Sequence, residues 1–154
     1  LATGNKSELA VGYSTLYGDM AGAVSVIGDI YKTDVWSMSK LLNHTHSLFG
    51  FSSAPIPQSS ITKPPTAELR PNQLDQDSLP SYDELDAVLR LHIELDLGVD
   101  EIEEELDCTR EFISNIIHMV DIAQFKRDQA SVIFKTSTNN PVTVCHQCGR
   151  ERIA

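Results

Sequence analysis

Apolar residues recur at three- and four-residue spacing through much of the chain. Residues 6–17 place Leu9, Ala10, Tyr13, Leu16 and Tyr17 on one side of a helix, with Gly12 as its weak point. After a Gly18–Gly22 turn, VSVIGDIY (24–31) alternates enough to predict a short strand or extended segment. Thr33 is then placed to cap a helix carrying Val35, Met38, Leu41 and Leu42, which gives way around Gly50. The pattern next fails for about thirty residues. Six of the seven prolines fall between Pro55 and Pro80, and residues 51–80 read as one long loop of the lid, binding-loop or linker kind.

Periodicity returns at Ser81, whose spacing from Glu84 predicts a capping box for SYDELDAVLRLHIEL. Leu85, Val88, Leu89 and His92 or Ile93 form its apolar face. Asp100 with Glu103 predicts a shorter second helix, and Asp107 or Thr109 a third through Phe112, Ile113, Ile116, Ile117 and Val120. Beyond Lys126 the residues turn β-branched and polar, predicting an extended tail. No internal repeat interrupts this order.

Composition changes the picture in what it excludes. The 154 residues, 41% hydrophobic and 22% charged, suit one unit with an ordinary core. A net charge of −10 argues against a nucleic-acid surface, which needs Lys and Arg to replace phosphate counterions. No apolar window of about 18 residues exists to span a bilayer and no leader pattern is present, so the expectation is a cytoplasmic protein. Cys108, Cys145 and Cys148 are too few for a disulfide framework. Cys145-His146-Gln147-Cys148 has zinc spacing, but a structural site takes four ligands and only His44 and His46 could complete it. The acidic run DEIEEEL (100–106) reads as a solvated helix face, and His92 and His118 as packed or half-exposed side chains.

The chemistry begins at TGNKSE (3–8). Asn5 and Glu8 have the spacing of an N-cap and its reciprocal partner. The N–H groups of Thr3 to Ser7 would then face outward and favour an anion; alternatively this is simply a capped helix whose Glu8 offsets the dipole.

Four separated stretches carry a family resemblance: TGNKSELAVGYSTLYGDMAG (3–22), YKTDV (31–35), PNQLDQDSLPSYDELD (71–86) and QFKRDQA (124–130). In this order they resemble the C-terminal part of the synthetase domain of glutamine-dependent NAD synthetases. The resemblance covers residues 1–136, leaving 137–154 as a divergent tail, although the closing GRERIA is also similar to the family's ending. It implies an α/β, adenine nucleotide alpha hydrolase-like three-layer fold, of which this chain supplies one or two strands and several helices. A preceding S-G-G-x-D-S pyrophosphate loop and a glutaminase domain are implied upstream, so the chain is expected to be a fragment, inactive alone.

The resemblance also implies a reaction: ATP converts the nicotinic acid carboxylate of deamido-NAD to an acyl adenylate, and ammonia from glutamine displaces AMP. By the same resemblance Thr3, Lys32 and Thr66 contact ATP, while Glu8, Tyr13, Ser14, Thr15, Leu16, Phe125 and Lys126 contact deamido-NAD. Lys126 would also stabilise the charged intermediate. Magnesium would sit at Glu8, given a second carboxylate from the upstream loop, because a hard cation is poorly held by one carboxylate. Leu16 follows the glutamine-dependent pattern, where ammonia-dependent members carry Lys. A homo-oligomer is implied as well. Another ATP pyrophosphatase such as a GMP synthetase, or a non-catalytic helical module, are the competing readings.

Overall fold

The computed structural model describes residues 1–65, 75 and 79–137. Thr66 and the Cys145–Cys148 motif lie outside the described residues. Helix α1 (Lys6–Val11) comes first, followed by strand β1 (Val24–Ser25), helix α2 (Lys32–His44), a 3-10 turn (His46–Phe49) and helix α3 (Gln58–Thr62). After the proline-rich stretch come α4 (Tyr82–Leu89), a π-helical turn (Arg90–Glu94), α5 (Val99–Glu105), α6 (Arg110–Ile122), α7 (Gln124–Arg127) and strand β2 (Val132–Ile133).

The first expected helix is cut short. It stops at Val11 because Gly12 takes φ +67°, and its N–H returns to the carbonyls of Glu8 and Leu9. Tyr13, Leu16 and Tyr17 therefore sit on a turn, and Tyr17 is exposed. The strand expected over 24–31 is two residues long. It pairs in parallel with β2, Val24 opposite Val132, and Ala2 bridges Ser25 on its other side. The tail beyond Lys126 thus adds a strand to the sheet.

Helix α2 begins at Lys32, ahead of the expected Thr33 cap, and ends at His44; the 3-10 turn closes at Gly50 with φ +78°. No residue of α2 is buried. Its apolar face lines an open groove of about 540 Å³ together with Ile27, Phe49 and Ile56. The long loop contains the short helix α3, which lacks any apolar period.

Ser81 caps α4 through its hydroxyl, which accepts from the Glu84 N–H, but the expected box is not closed: the Glu84 carboxylate accepts from that hydroxyl instead of the Ser81 N–H. Helix α5 is capped at Gly98 and begins at Val99, ahead of the expected Asp100, with the Glu101 carboxylate reaching back to the Gly98 N–H at 2.9 Å. Thr109 caps α6. Leu85, Val88 and Leu89 of α4 interlock with Ile102 of α5 and Ile113, Ile116 and Val120 of α6 in the core. Each such side chain contributes about 1.5–3 kcal/mol by leaving water. The acidic face of α5 stays solvated, with Arg110 bridging Asp100 and Glu103. His92 is buried with Nδ1 3.0 Å from the Leu97 carbonyl, whereas His118 is exposed.

Helix α1 is the element that matters for a site. Six residues long, it touches α2, α4, α6 and α7, so its ends are fixed from several directions.

Candidate functional site

The start of α1 forms the capping box that its sequence predicts. Asn5 Oδ1 accepts the Glu8 N–H at 3.1 Å, and Glu8 Oε2 accepts the Asn5 N–H at 3.2 Å. The Lys6 N–H goes to the Ile30 carbonyl at 2.9 Å. These donors are engaged inside the protein, and Asn5 and Ser7 are buried. Of the cradle expected at Thr3–Ser7, the Asn5 and Lys6 donors are thus engaged within the protein, while Thr3 is exposed.

What the surface presents is a charge pair. Glu8 Oε1 lies 3.1 Å from Lys32 Nζ, both side chains about one-fifth exposed (18% and 19%). The Lys32 ammonium stands 5.2 Å above the Tyr82 ring, a cation–π arrangement. The buried Tyr82 hydroxyl donates to Asp75 at 2.8 Å, and the ring meets Trp36 edge-on at 5.9 Å. Burial pushes the Tyr82 phenol far above its ordinary range, with the Glu8 charge and the Asp75 hydrogen bond adding to the rise. Tyr82 is a neutral donor here.

Below the pair lies a buried polar junction. Asp86 of α4 accepts from the Ser7 hydroxyl, from the Thr33 N–H at 2.9 Å and from the Thr33 hydroxyl at 2.8 Å. Ser7 Oγ in turn accepts the Lys32 N–H at 2.9 Å. Burial raises the Asp86 carboxyl, and the bonds from Ser7 and Thr33 oppose that rise.

Lys126 approaches from the other end of α1. Its ammonium donates to the carbonyls of Gly12 at 2.6 Å and Ser14 at 2.8 Å. Its charge therefore answers the negative end of α1's dipole and tethers the turn carrying Tyr13, Ser14, Thr15 and Leu16. Arg127 is 1% exposed and donates to the carbonyls of Ala10, Val120 and the Gln124 side chain, a structural assignment. Phe125 is exposed, and so is Thr3. The Tyr13 N–H holds the Glu8 carbonyl at 2.9 Å, and Thr15 is pinned through its N–H to Asp19 at 2.6 Å. Ser14 Oγ is buried without a hydrogen-bond partner among the described residues.

Glu8, Lys32 and the Tyr13 turn thus gather around α1, with Lys126 beneath the turn. Ser7, Tyr82 and Asp86 join them without having been singled out in the sequence. Tyr82 and Asp86 stand four apart in SYDELD, one side of a helix, and that spacing was the available signal.

Magnesium at Glu8 would call for a second carboxylate from outside this chain, because a hard cation takes several oxygen ligands. Both Glu8 oxygens are taken, one by Lys32 and one by the Asn5 N–H. Among the described residues no three His, Cys, Asp or Glu side chains gather to hold a metal ion.

Residues 1–130 match the family model described as NAD synthase. The chain belongs to the NAD synthase family. It is 46% identical over 138 residues to the glutamine-dependent NAD(+) synthetase of Thermotoga maritima, a match covering 90% of this chain and 23% of that relative. The Acinetobacter baylyi protein of the same name is 48% identical over 133 residues, 86% of this chain and 23% of the relative. This chain therefore spans about a quarter of the length of these family members. The crystal structure of a glutamine-dependent NAD(+) synthetase from Cytophaga hutchinsonii superposes with a TM-score of 0.67 at 24% identity, over 91% of this chain and 22% of that one. That likeness shows the fold: the helices and short parallel sheet are part of the same α/β architecture. No helix among the described residues is long and apolar enough to cross a membrane.

Proposed function

We propose that the chain contributes to an ATP-dependent synthetase that amidates deamido-NAD to NAD. The observation that carries this reading is the Glu8–Lys32 pair standing over Tyr82 beside the Tyr13–Leu16 turn, within the matched residues. Lys32 is the group assigned to ATP phosphate. A phosphate oxygen entering beside Glu8 exchanges one anionic partner of the ammonium for another, so the lysine is already oriented when nucleotide arrives. Thr3 and Thr66 are assigned to ATP with it.

Glu8, the segment Tyr13, Ser14, Thr15 and Leu16, and Phe125 and Lys126 are assigned to deamido-NAD, Lys126 lying behind the turn. The unfilled Ser14 hydroxyl supports this assignment, since a buried polar atom with no partner is costly unless a ligand supplies one. The substrate carboxylate attacks the α-phosphorus of ATP, and pyrophosphate leaves. Ammonia, drawn from glutamine, then adds to the acyl carbon, AMP departs with the bonding pair, and the amide nitrogen loses its extra proton. Lys126 acts as a fixed positive charge near the developing oxyanion. Mg²⁺ belongs to this proposal as ATP's companion ion, and no step is assigned to it at Glu8. A cytoplasmic homo-oligomer completes the reading.

The test uses the full protein that carries this chain, supplied with ATP, Mg²⁺, deamido-NAD and either glutamine or ammonia. NAD, AMP and pyrophosphate are expected in equal amounts. Release of ADP, or no NAD from either nitrogen source, overturns the proposal. Lys126→Ala is expected to lower turnover at least roughly tenfold, a loss of about 1.4 kcal/mol in transition-state stabilisation.

A further inference from the structure

Helix α2 starts without a side-chain cap of its own, since Tyr31 at the N-cap makes no side-chain bond to it. Its first N–H groups would each cost about 1–3 kcal/mol if buried unmet. The acceptors come from two distant elements. Ser7 on α1 takes the Lys32 N–H, and Asp86 on α4 takes the Thr33 N–H and hydroxyl. The Ser7 hydroxyl then donates to the other Asp86 oxygen, closing the junction.

The residues joined this way are the immediate neighbours of Glu8 and the backbone of Lys32 itself. One carboxylate therefore fixes the relative placement of the two helix starts that carry the charge pair. Four residues earlier on α4, Tyr82 places its ring 5.2 Å from the same Lys32 ammonium. The side chain of Lys32 thus meets α4 directly, while its main chain reaches α4 only through Ser7. Asp86 is 2% exposed, which rules out its touching a phosphate directly. A carboxylate at the positive end of α2 also suits the dipole.

We propose that Asp86 is a positioning residue for the ATP-binding step: relayed through Ser7 and the Thr33 N–H, it holds α1 and α2 so that Glu8 and Lys32 face one another. The inference rests on the reading of Lys32 as the phosphate-binding lysine.

Steady-state kinetics of the full protein test it, varying ATP, deamido-NAD and ammonia in turn. Asp86→Asn is expected to raise KM for ATP at least roughly fivefold while leaving KM for ammonia within about twofold. Ser7→Ala should shift KM for ATP the same way, and Ser7→Thr, which returns a hydroxyl, should restore it. Leu89→Ala, a core truncation on the same helix, should weaken the fold without moving KM for ATP. Amide exchange at Thr33 in Asp86→Asn should quicken by at least about tenfold as its acceptor weakens.

Should Asp86→Asn fail to fold, Ser7→Ala and Ser7→Thr decide the matter. An unchanged KM for ATP in the folded Asp86 or Ser7 variants overturns the proposal, as does an equal rise in Leu89→Ala. Lys32→Ala separates the two readings. If it raises KM for ATP while Asp86→Asn and Ser7→Ala do not, only the positioning role falls; if it leaves KM for ATP unchanged in an active protein, both fall.

Discussion

Asp29 carries a negative charge to a place where only 3% of it meets solvent. Burial by itself would lift its pKa. The N–H groups of Ser137 and Thr136, the Ser137 hydroxyl and the buried Lys6 ammonium at 3.2 Å outweigh that and hold it at about 2, below its ordinary 3.8. Because the folded value is the lower one, Asp29 stabilises the fold above pH 3.8, and this contribution disappears as pH falls through about 2. The difference is on the order of 2 kcal/mol. Urea unfolding followed between neutral pH and pH 2 should show this acid loss in the natural chain and its flattening in Asp29→Asn. Asp86, raised by burial, works in the opposite sense: its contribution is fullest at low pH and declines as pH rises through its elevated folded pKa. The two aspartates look alike in sequence. Their partners, 108 and 79 residues away along the chain, make them differ.

Helix boundaries separate what sequence could tell from what it could not. The Asn5–Glu8, Ser81–Glu84 and Thr109 caps were readable because a cap is local chemistry, settled within three residues. The sequence points to Thr33 as the start of α2, but the helix begins at Lys32 because its acceptors, Ser7 and Asp86, come from α1 and α4. Gly12 was recognised as a weakness of the first helix, yet it is the residue that ends it. A Cβ at Gly12 would lie 2.6 Å from that of Ala123 and 3.3 Å from the Lys126 side chain, in a left-handed backbone. Gly12→Ala should therefore destabilise by about 3 kcal/mol, combining backbone strain with overpacking. Thermal denaturation measures this. A wild-type midpoint would show that α1 can end in another way.

Taken as a whole, the molecule joins its early and late segments through two cations side by side. Arg127 satisfies carbonyls at the ends of both α1 and α6, and Lys126 continues the same service to Gly12 and Ser14. Replacing Arg127 with Met keeps an unbranched apolar stem but leaves those buried carbonyls without a donor, a loss on the order of 3 kcal/mol detectable in urea unfolding. The family resemblance was legible in the four quoted stretches, and the core of α4 and α6 in their apolar period. The role of α2's apolar face was not, since periodicity marks a face without saying what meets it. Lys126 reads in sequence as a ligand contact or a charge at the end of its own helix; in the fold its ammonium also answers a different helix, because only the fold brings residue 126 to residue 12. One further property follows from the contact between Trp36 and Tyr82. Trp36 is the sole tryptophan, and it leans against the ring beneath the Lys32 ammonium. Its intrinsic fluorescence gives the chain a built-in optical signal, and the proposed nucleotide contact at Lys32 predicts a change in its intensity or colour when ATP is added.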